Sequence, residues 1–558
     1  MRAAVCFLAL ASTLVAQEGA TQLPPVRPFH LPPRIGVITE ARLTLPQTLR
    51  MALSNNRDID SSRIDQDKAL LSLIGARGVY DPRVGADSYY QDQNTPAASS
   101  LSGSPNGSLA NKTLLGDPQI SGSTPWLGGS YRLDYSSSRA ATNNEFITIN
   151  PQYPTALNFS YTQPLWRGMH YDNNRHAIDV AKKNRALTDQ QFLQKVMQVV
   201  TQAEQAYWEL VFASRNLDVQ LEAVRLGREQ DESNRRQERQ GLLAPIDVVA
   251  AQTQLATFKL NAYAAQQALT AAENSLKVLI LADREDPLWT SALIPVTPVN
   301  LESPLVPLAD AVNMALKDRP EMAQARISGE INKSDVRYYR EQTKPQVDAI
   351  LTHTSAGLAG PVVPPGPNPL TSAFVSLFEQ VNELAALAGL PPGPPVSFSG
   401  TVPPALVGGY GQSANNAFRN AFPTNEVELR FSLPLRNRTA NANLQSSIDD
   451  GRKIRDQLLQ TELGIEADVR NSMQAVESGR ASLGAARVAR ESAEEQYQSE
   501  QRQFRAGTST LFLVQQRQTA MITARSQEQR AETDLAKSIA AFQLATAQIL
   551  QENKVDVK

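Results

Sequence analysis

The chain is almost without cysteine. Its one thiol is Cys6, so neither a disulfide framework nor a cysteine metal site can be built beyond the first residues. Long apolar runs are missing too: no stretch of about eighteen apolar residues occurs, the length a helix needs to span a bilayer. Charge of one sign is also missing. The 54 basic residues face 56 acidic ones, a net charge of −2, which leaves no basic face to displace counterions from nucleic acid. Histidine is scarce, and none of His30, His170, His176 and His353 forms a His-x-x-x-His pair with acids placed as ligands. His170 and His176 straddle an expected strand-to-helix junction, where they are read as solvated. No phosphate-binding glycine loop, nucleophile elbow or dinucleotide fingerprint occurs, and GLAGPVVPPG from Gly357 is a Pro-rich loop. The sequence therefore offers no catalytic residue, no metal ligand and no cofactor site, and is read as a non-enzyme.

What is present begins with an address. Arg2 supplies a short positive region, Ala3 to Val15 an apolar one, and Ala16 a cleavage position with Ala11 and Ala20 competing. Residues 1–16 read as a secretory signal peptide. Cys6 lies inside it, too near the start for lipid attachment, so the exported chain would carry no thiol. Residues 17–40 hold Pro24, Pro25, Pro28, Pro32 and Pro33, an extended leader. The 558 residues suffice for several ordinary domains, with a mean hydropathy of −0.33.

Two periodicities follow. Val196, Val199, Ala203, Ala206, Leu210, Ala213 and Leu217 step by threes and fours, as do Val248, Ala251, Leu255, Phe258, Ala262, Ala265, Leu269, Ala272, Leu276 and Leu279. That spacing means helices packed side by side over a long distance rather than around a globular core. A helix over 174–240 would be roughly 100 Å long at 1.5 Å per residue. Elsewhere the period is two. In ALNFSYTQPLW, Leu157, Phe159, Tyr161 and Leu165 face one way, and in a second segment Tyr131, Leu133 and Tyr135 oppose Arg132, Asp134 and Ser136. In EVELRFSLPLR, Val427, Leu429, Phe431, Leu433 and Leu435 oppose Glu428, Arg430, Ser432 and Arg436. Such alternation predicts strands with one dry and one wet face.

The programme occurs twice. LTLPQTLRMALSNN from Leu43 returns near Val306, DPRVGADSYY from Asp81 near Lys344, and ALNFSYTQPLW from Ala156 near Glu426, at offsets of about 263 to 270 residues. Between the long helices lie RQGLLAPIDVVAAQ, around Gly241, and RAGTSTLFLVQQRQ, around Gly507. Each is a tight turn closed by a glycine able to visit positive φ, and Pro245 sits where a first-turn proline is tolerated. A first repeat is expected over 41–282, with helices over 45–77, 174–240 and 246–281 and strands within 83–166. A linker follows over 283–305. The second repeat spans 306–550, with helices over 308–340, 442–506 and 511–550 and strands within 345–355 and 426–436. It carries an inserted loop over 356–425 with a short amphipathic helix around Phe374, Leu377, Phe378, Val381 and Leu384. A tail covers 551–558.

Strong strands this few cannot close a sandwich of their own. An exported chain with apolar-out, charged-in strands fits a barrel between lipid and water, shared among several chains. Trp126, Trp166, Tyr89, Tyr90 and Tyr131 are then candidate interfacial anchors. A second reading is a periplasmic coiled-coil scaffold whose strands form a soluble cap.

Carried by LTLPQTLRMALSNN, SYTQPLWRG, RQGLLAPIDVVAAQ, FSLPLRNRTANANL and FRAGTSTLFLVQQRQ in duplicated order, the sequence resembles the TolC-like outer membrane efflux proteins. The resemblance covers nearly everything after residue 40. It implies an α+β membrane protein: a homotrimer with a twelve-stranded transmembrane barrel, four strands per chain, continued by a periplasmic α-helical barrel. It implies a passive exit duct of a tripartite efflux or type I secretion machine, with a periplasmic adaptor and an inner-membrane transporter as partners. Adaptor docking would fall on Gly241, Leu242, Asp247 and Val248, and on Phe504, Gly507, Thr508 and Val514. Leu513 stands where the first tip has Asp247. Glu494, Glu495, Glu500 and Arg502 are the candidate constriction charges.

Overall fold

The computed structural model describes residues 29–99, 102–104, 106–299, 301, 306–364, 369–393 and 401–555. The expected signal peptide with Cys6, the leader up to residue 28 and the end of the tail lie outside the described residues. In chain order the first repeat runs β1 (Thr39–Leu43), α1 (Leu45–Asn55), α2 (Arg57–Arg77), β2 (Arg83–Pro96), β3 (Ser108–Ser123), β4 (Ser130–Thr142), β5 (Thr155–Pro164), α3 (Asn173–Arg239) and α4 (Pro245–Ile280). Then come β6 (Ser291–Pro295), α5 (Leu308–Asp318), α6 (Pro320–Gln342), β7 (Gln346–Gly357), α7 (Pro369–Leu387), α8 (Tyr410–Phe418) and β8 (Phe422–Ser432). The chain ends with α9 (Arg438–Arg505), α10 (Leu511–Ala545) and α11 (Ile549–Glu552).

The helices expected over 45–77 and 308–340 are each two. Asn56 and Arg319 leave helical space with near-identical dihedrals, φ −69° with ψ 125° and 130°. Arg319 precedes Pro320, whose ring disfavours the helical region for the residue before it. Asn56 turns instead to a tertiary partner: its side-chain amide donates to the Leu279 carbonyl at 3.1 Å, capping the end of α4.

The described residues of 1–56, 199–305 and 472–543 form one compact unit. Its interior is the three–four seam of α3 and α4 joined by Val514, Met521 and Leu535 of α10, all buried. A parallel pair, β1 with β6, joins segments about 250 residues apart in register Thr39↔Ser291 to Leu43↔Pro295. The buried Tyr207 hydroxyl fastens that pair to α3, donating to the Leu43 carbonyl at 3.1 Å and accepting from the Thr297 amide at 3.0 Å. Beside it Lys277 and Glu273, 2% and 1% exposed, form an ion pair at 2.7 Å. Arg34 reaches the same carboxylate at 2.5 Å, and the ammonium also donates to Ser291 O at 2.6 Å and Trp289 O at 3.1 Å.

The residues of 57–198, 306–471 and 544–555 form the second unit. Its centre is a six-stranded antiparallel sheet in the order β2-β3-β4-β5-β7-β8. The described residues of one chain thus supply six strands to this sheet rather than the four that the resemblance implied. Of the additional β3–β4 hairpin, β4 is legible in the alternation of Tyr131, Leu133 and Tyr135, whereas β3 hides because Gly116, Asp117 and Pro118 interrupt its alternation, and the β3–β4 register skips at 117 and 118. β8 begins at Phe422 and stops at Ser432, so Leu433 and Leu435 lie past the strand, where Pro434 has no N–H to donate. Leu165 likewise lies one residue past β5. The insertion over 356–425 contains α7, whose Phe374, Leu377, Val381 and Leu384 are exposed, and α8. The latter packs on β5 through Thr155 Oγ1 to Ser413 O at 3.0 Å, on β7 through Ser355 Oγ to Ala417 O, and on β4 through Tyr135 stacked on Phe418 at 5.5 Å.

Because Lys277 uses its three protons on Glu273, Trp289 and Ser291, its loss leaves the buried Glu273 carboxylate to Arg34 alone and takes the ammonium donor from two carbonyls. Lys277→Ala should cost about 3–5 kcal/mol, against less than about 0.5 kcal/mol for the exposed neighbour Ser275→Ala. Denaturant midpoints of the two variants in detergent check this.

Candidate functional site

Residues directly opposite in register share a face of a sheet, so the strand pairings sort every side chain of the wall. On one face Val84, Ile120, Leu133 and Phe159 stand opposite one another in successive strands β2 to β5. Tyr161, Leu351 and Val427 continue that face across β7 and β8, with Leu157, Leu429 and Phe431 beside them. The other face pairs Asp87 with Asp117, Gln119 with Asp134 and Asn158, and Asp348 with Arg430. It is laced with polar contacts: Arg132 to Asp134 at 3.0 Å and Asp117 at 3.8 Å, Asn158 to Asp134 at 2.8 Å, and Arg430 to Glu428 at 3.1 Å. Along β2 to β8 this face holds Asp87, Asp117, Asp134, Asp348, Glu426 and Glu428 against Arg83, Arg132 and Arg430, an acidic excess.

The apolar face is out in the open. Val84, Ile120, Phe159, Leu351, Val427, Leu429 and Phe431 are all exposed. A soluble cap would have to cover them. Trp126, in the β3–β4 turn, and Trp166, just beyond β5, sit with Tyr131 at the helix-side end of the sheet, as interfacial anchors do. Tyr89 and Tyr90 do not: they lie in the middle of the fourteen-residue β2 and point to opposite faces.

The two tips are built alike. Gly241 (φ +73°) and Gly507 (φ +78°) occupy the left-handed region in which a helix is closed. Gly241 N bonds Glu238 O at 2.8 Å and Leu242 N bonds Gln237 O at 2.9 Å. At the other tip Gly507 N bonds Phe504 O and Thr508 N bonds Gln503 O, each at 3.0 Å. Pro245 then opens α4 as its first residue, whereas Thr510 caps α10 through Leu513 N to Thr510 Oγ1 at 3.5 Å.

The expected docking residues separate. Leu242 is 72% exposed, but Val248 and Val514 are 0% and 1% exposed. Val514 belongs to the core with Leu255, Phe258 and Met521, and Phe504 packs against it. These three are turned into the packing between the helices, because the seam continues right up to the turn. The structure exposes a pair that the sequence did not single out: Ile246 at 70% and Phe512 at 72%, equivalent positions of the two tips. A large apolar residue in the first turn of a seam helix, off the three–four track, was the available signal.

The candidate constriction charges also separate. Glu494 is bound within its own hairpin by Arg490 at 2.9 Å and Arg525 at 2.6 Å, and Glu500 accepts from Ser509 Oγ. Burial alone would lower the Arg490 pKa, but Glu528 at 2.5 Å and Glu494 raise it. Deeper in α3, burial raises the Asp231 carboxyl above the usual range despite Arg235 at 3.1 Å. Glu495 and Arg502 are exposed. His176 is not solvated: its ring stacks on Tyr338 at 4.5 Å and meets Asp335 Oδ1 at 2.7 Å, because α3 begins against α6.

An open antiparallel sheet with an apolar outer face and a charged inner one, joined to paired seam helices, defines a barrel-forming channel of an outer membrane. The profile described as outer membrane efflux protein matches residues 121–280 and 401–548, over half of the chain, and the chain belongs to that family. It is an outer membrane channel of efflux systems, a transport protein with a periplasmic helical part. No curated protein matches it significantly in sequence. In fold it is similar to the CmeC outer membrane channel of Campylobacter jejuni, at 15% identity over 94% of both chains and a TM-score of 0.61. It is also similar to the outer membrane protein VceC of Vibrio cholerae, at 13% identity over 90% of this chain and 95% of that one, with a TM-score of 0.60. The open state of the MtrE outer membrane channel of Neisseria gonorrhoeae shares 14% identity over 91% and 89%, with a TM-score of 0.57.

A cation on the outer face should cost far more than a lost charge on the inner one. Leu429→Arg should destabilise the membrane-inserted protein by about 2–4 kcal/mol if it sits near the bilayer midplane, while its neighbour Glu428→Gln stays within about 0.5 kcal/mol. Unfolding from lipid vesicles compares them.

Proposed function

We propose that this chain works as a homotrimer and as the passive exit duct of a tripartite efflux pump. Substrate would enter from a periplasmic adaptor and an inner-membrane transporter, which supply specificity and energy, and leave through the wet interior of the barrel. The observation that carries this reading is the division of faces over the helix-side part of all six strands, Asp92, Lys112 and Arg139 entering the apolar face only toward the far end. An exposed apolar face is stable in lipid, and an acidic face only where water reaches it. One open sheet cannot enclose that water, so copies must share the wall. The paired tips support the docking half of the proposal: two glycine-closed turns of identical backbone present Leu242, Ile246 and Phe512 to solvent, with Asp247 and Thr508 between them.

Two measurements test the reading. Leu242→Asp, Ile246→Asp and Phe512→Asp together should abolish export by cells that depend on this channel, while the heat-modifiable oligomer in the outer-membrane fraction is unchanged. Undiminished export would remove the tips from docking. For the constriction, Glu495 and Arg502 are the groups free to face the lumen, and Glu494 and Glu500 stiffen the hairpin behind them. Replacing Glu494, Glu495 and Glu500 by Gln should lower cation selectivity in single-channel recordings, and unchanged selectivity and conductance would place the constriction elsewhere.

A further inference from the structure

We propose that the barrel of this protein has eighteen strands, each of three copies contributing all six of its own, with β8 of one copy pairing with β2 of the next. The inference rests on the trimeric reading above and goes beyond it in the architecture of the exit.

Three observations carry it. First, over residues 116–137 the β3–β4 hairpin has the same two faces as the rest of the wall. Ile120 and Leu133 continue the apolar face between Val84 and Phe159, and Asp117, Gln119 and Asp134 continue the charged one. A ribbon standing clear of the membrane has no reason to keep that division. Second, the hairpin is not appended at an edge. It lies inside the sheet, with β2 paired to β3 over fourteen residues and β4 paired to β5 from Ser130↔Thr162 to Ser137↔Thr155. Taking it out of the wall would break both ladders and leave β2 and β5 to find each other. Third, the sheet of one chain is open. β2 and β8 are its edges, and six strands fall below the eight of the smallest transmembrane barrels. In hydrocarbon an unpaired edge is not tolerated. Six alternating strands leave β2 and β8 antiparallel, so the same ladder pattern continues from one copy into the next and closes without a parallel seam.

The consequence is a wider exit. With strands ~4.8 Å apart and tilted by ~40°, twelve strands make a wall about 24 Å across and eighteen one about 36 Å across. The extra width falls at the outer membrane, where the inner face carries its acidic excess, and leaves the helical tips to set the narrowest passage.

The test is electron cryo-microscopy of the full-length protein in lipid nanodiscs, with the copy number fixed separately by native mass spectrometry. A trimer with eighteen wall strands is the expected result. A trimer with twelve, the β3–β4 ribbon lying outside the wall, overturns this inference and leaves the duct intact. A species that is not a trimer, or that is soluble without lipid, overturns the reading beneath it. Labelling gives a second readout. In a Cys6→Ser background, Ile120→Cys and Leu133→Cys should react with a water-soluble maleimide about tenfold slower in membranes than Gln119→Cys and Ser136→Cys, because lipid shields the outer face. Equal rates at all four positions would place the hairpin in water.

Discussion

In hydrocarbon no water is available to satisfy a backbone N–H or C=O, and each bare group costs several kcal/mol. That constraint accounts for the second unit of the chain. It requires strands whose ladders are filled on both sides, it forbids an open edge, and it makes the outward side chains apolar while the inward ones can be charged. The sheet satisfies every requirement but one within a single chain: the edges β2 and β8. On the homotrimeric reading proposed above, association of copies is a condition of the membrane-inserted state rather than an addition to it.

The parts of the fold readable from sequence are those in which one periodicity runs without interruption. β5 and β8 alternate cleanly, so Leu157, Phe159, Val427 and Leu429 announce their face. The seam from Val248 to Leu276 keeps its three–four step, and its residues are buried as that step requires. Gly241 and Gly507 are legible because a tight helix closure needs positive φ.

The parts that escaped were decided by partners distant in sequence. β1 and β6 are five residues each and gain their meaning only by pairing across about 250 residues. Asn56 breaks a helix to cap another one. Val248 and Val514 sit beside the tip glycines, where chain position alone suggests a contact surface, yet packing turns them inward and leaves Ile246 and Phe512 outside. His176 looks like a junction residue until Asp335 and Tyr338 of α6 are brought to it.

The duplication also shows which features backbone geometry fixes and which it leaves free. Both tips keep the same main-chain closure while their side chains diverge, Leu242 against Thr508 and Asp247 against Leu513, since the closing bonds ask nothing of those side chains. The sheets diverge further: four strands between α2 and α3 in the first repeat, two between α6 and α9 in the second. The difference is one hairpin, and it could hardly be anything else. A single added strand would reverse the direction of β5 and deliver α3 to the opposite side of the membrane from α4, α9 and α10, with which it must pack. Two added strands return the chain to the side it left. An antiparallel wall fed by helices on one side can therefore grow only by hairpins, and the repeat that grew still hands its helix to the same bundle.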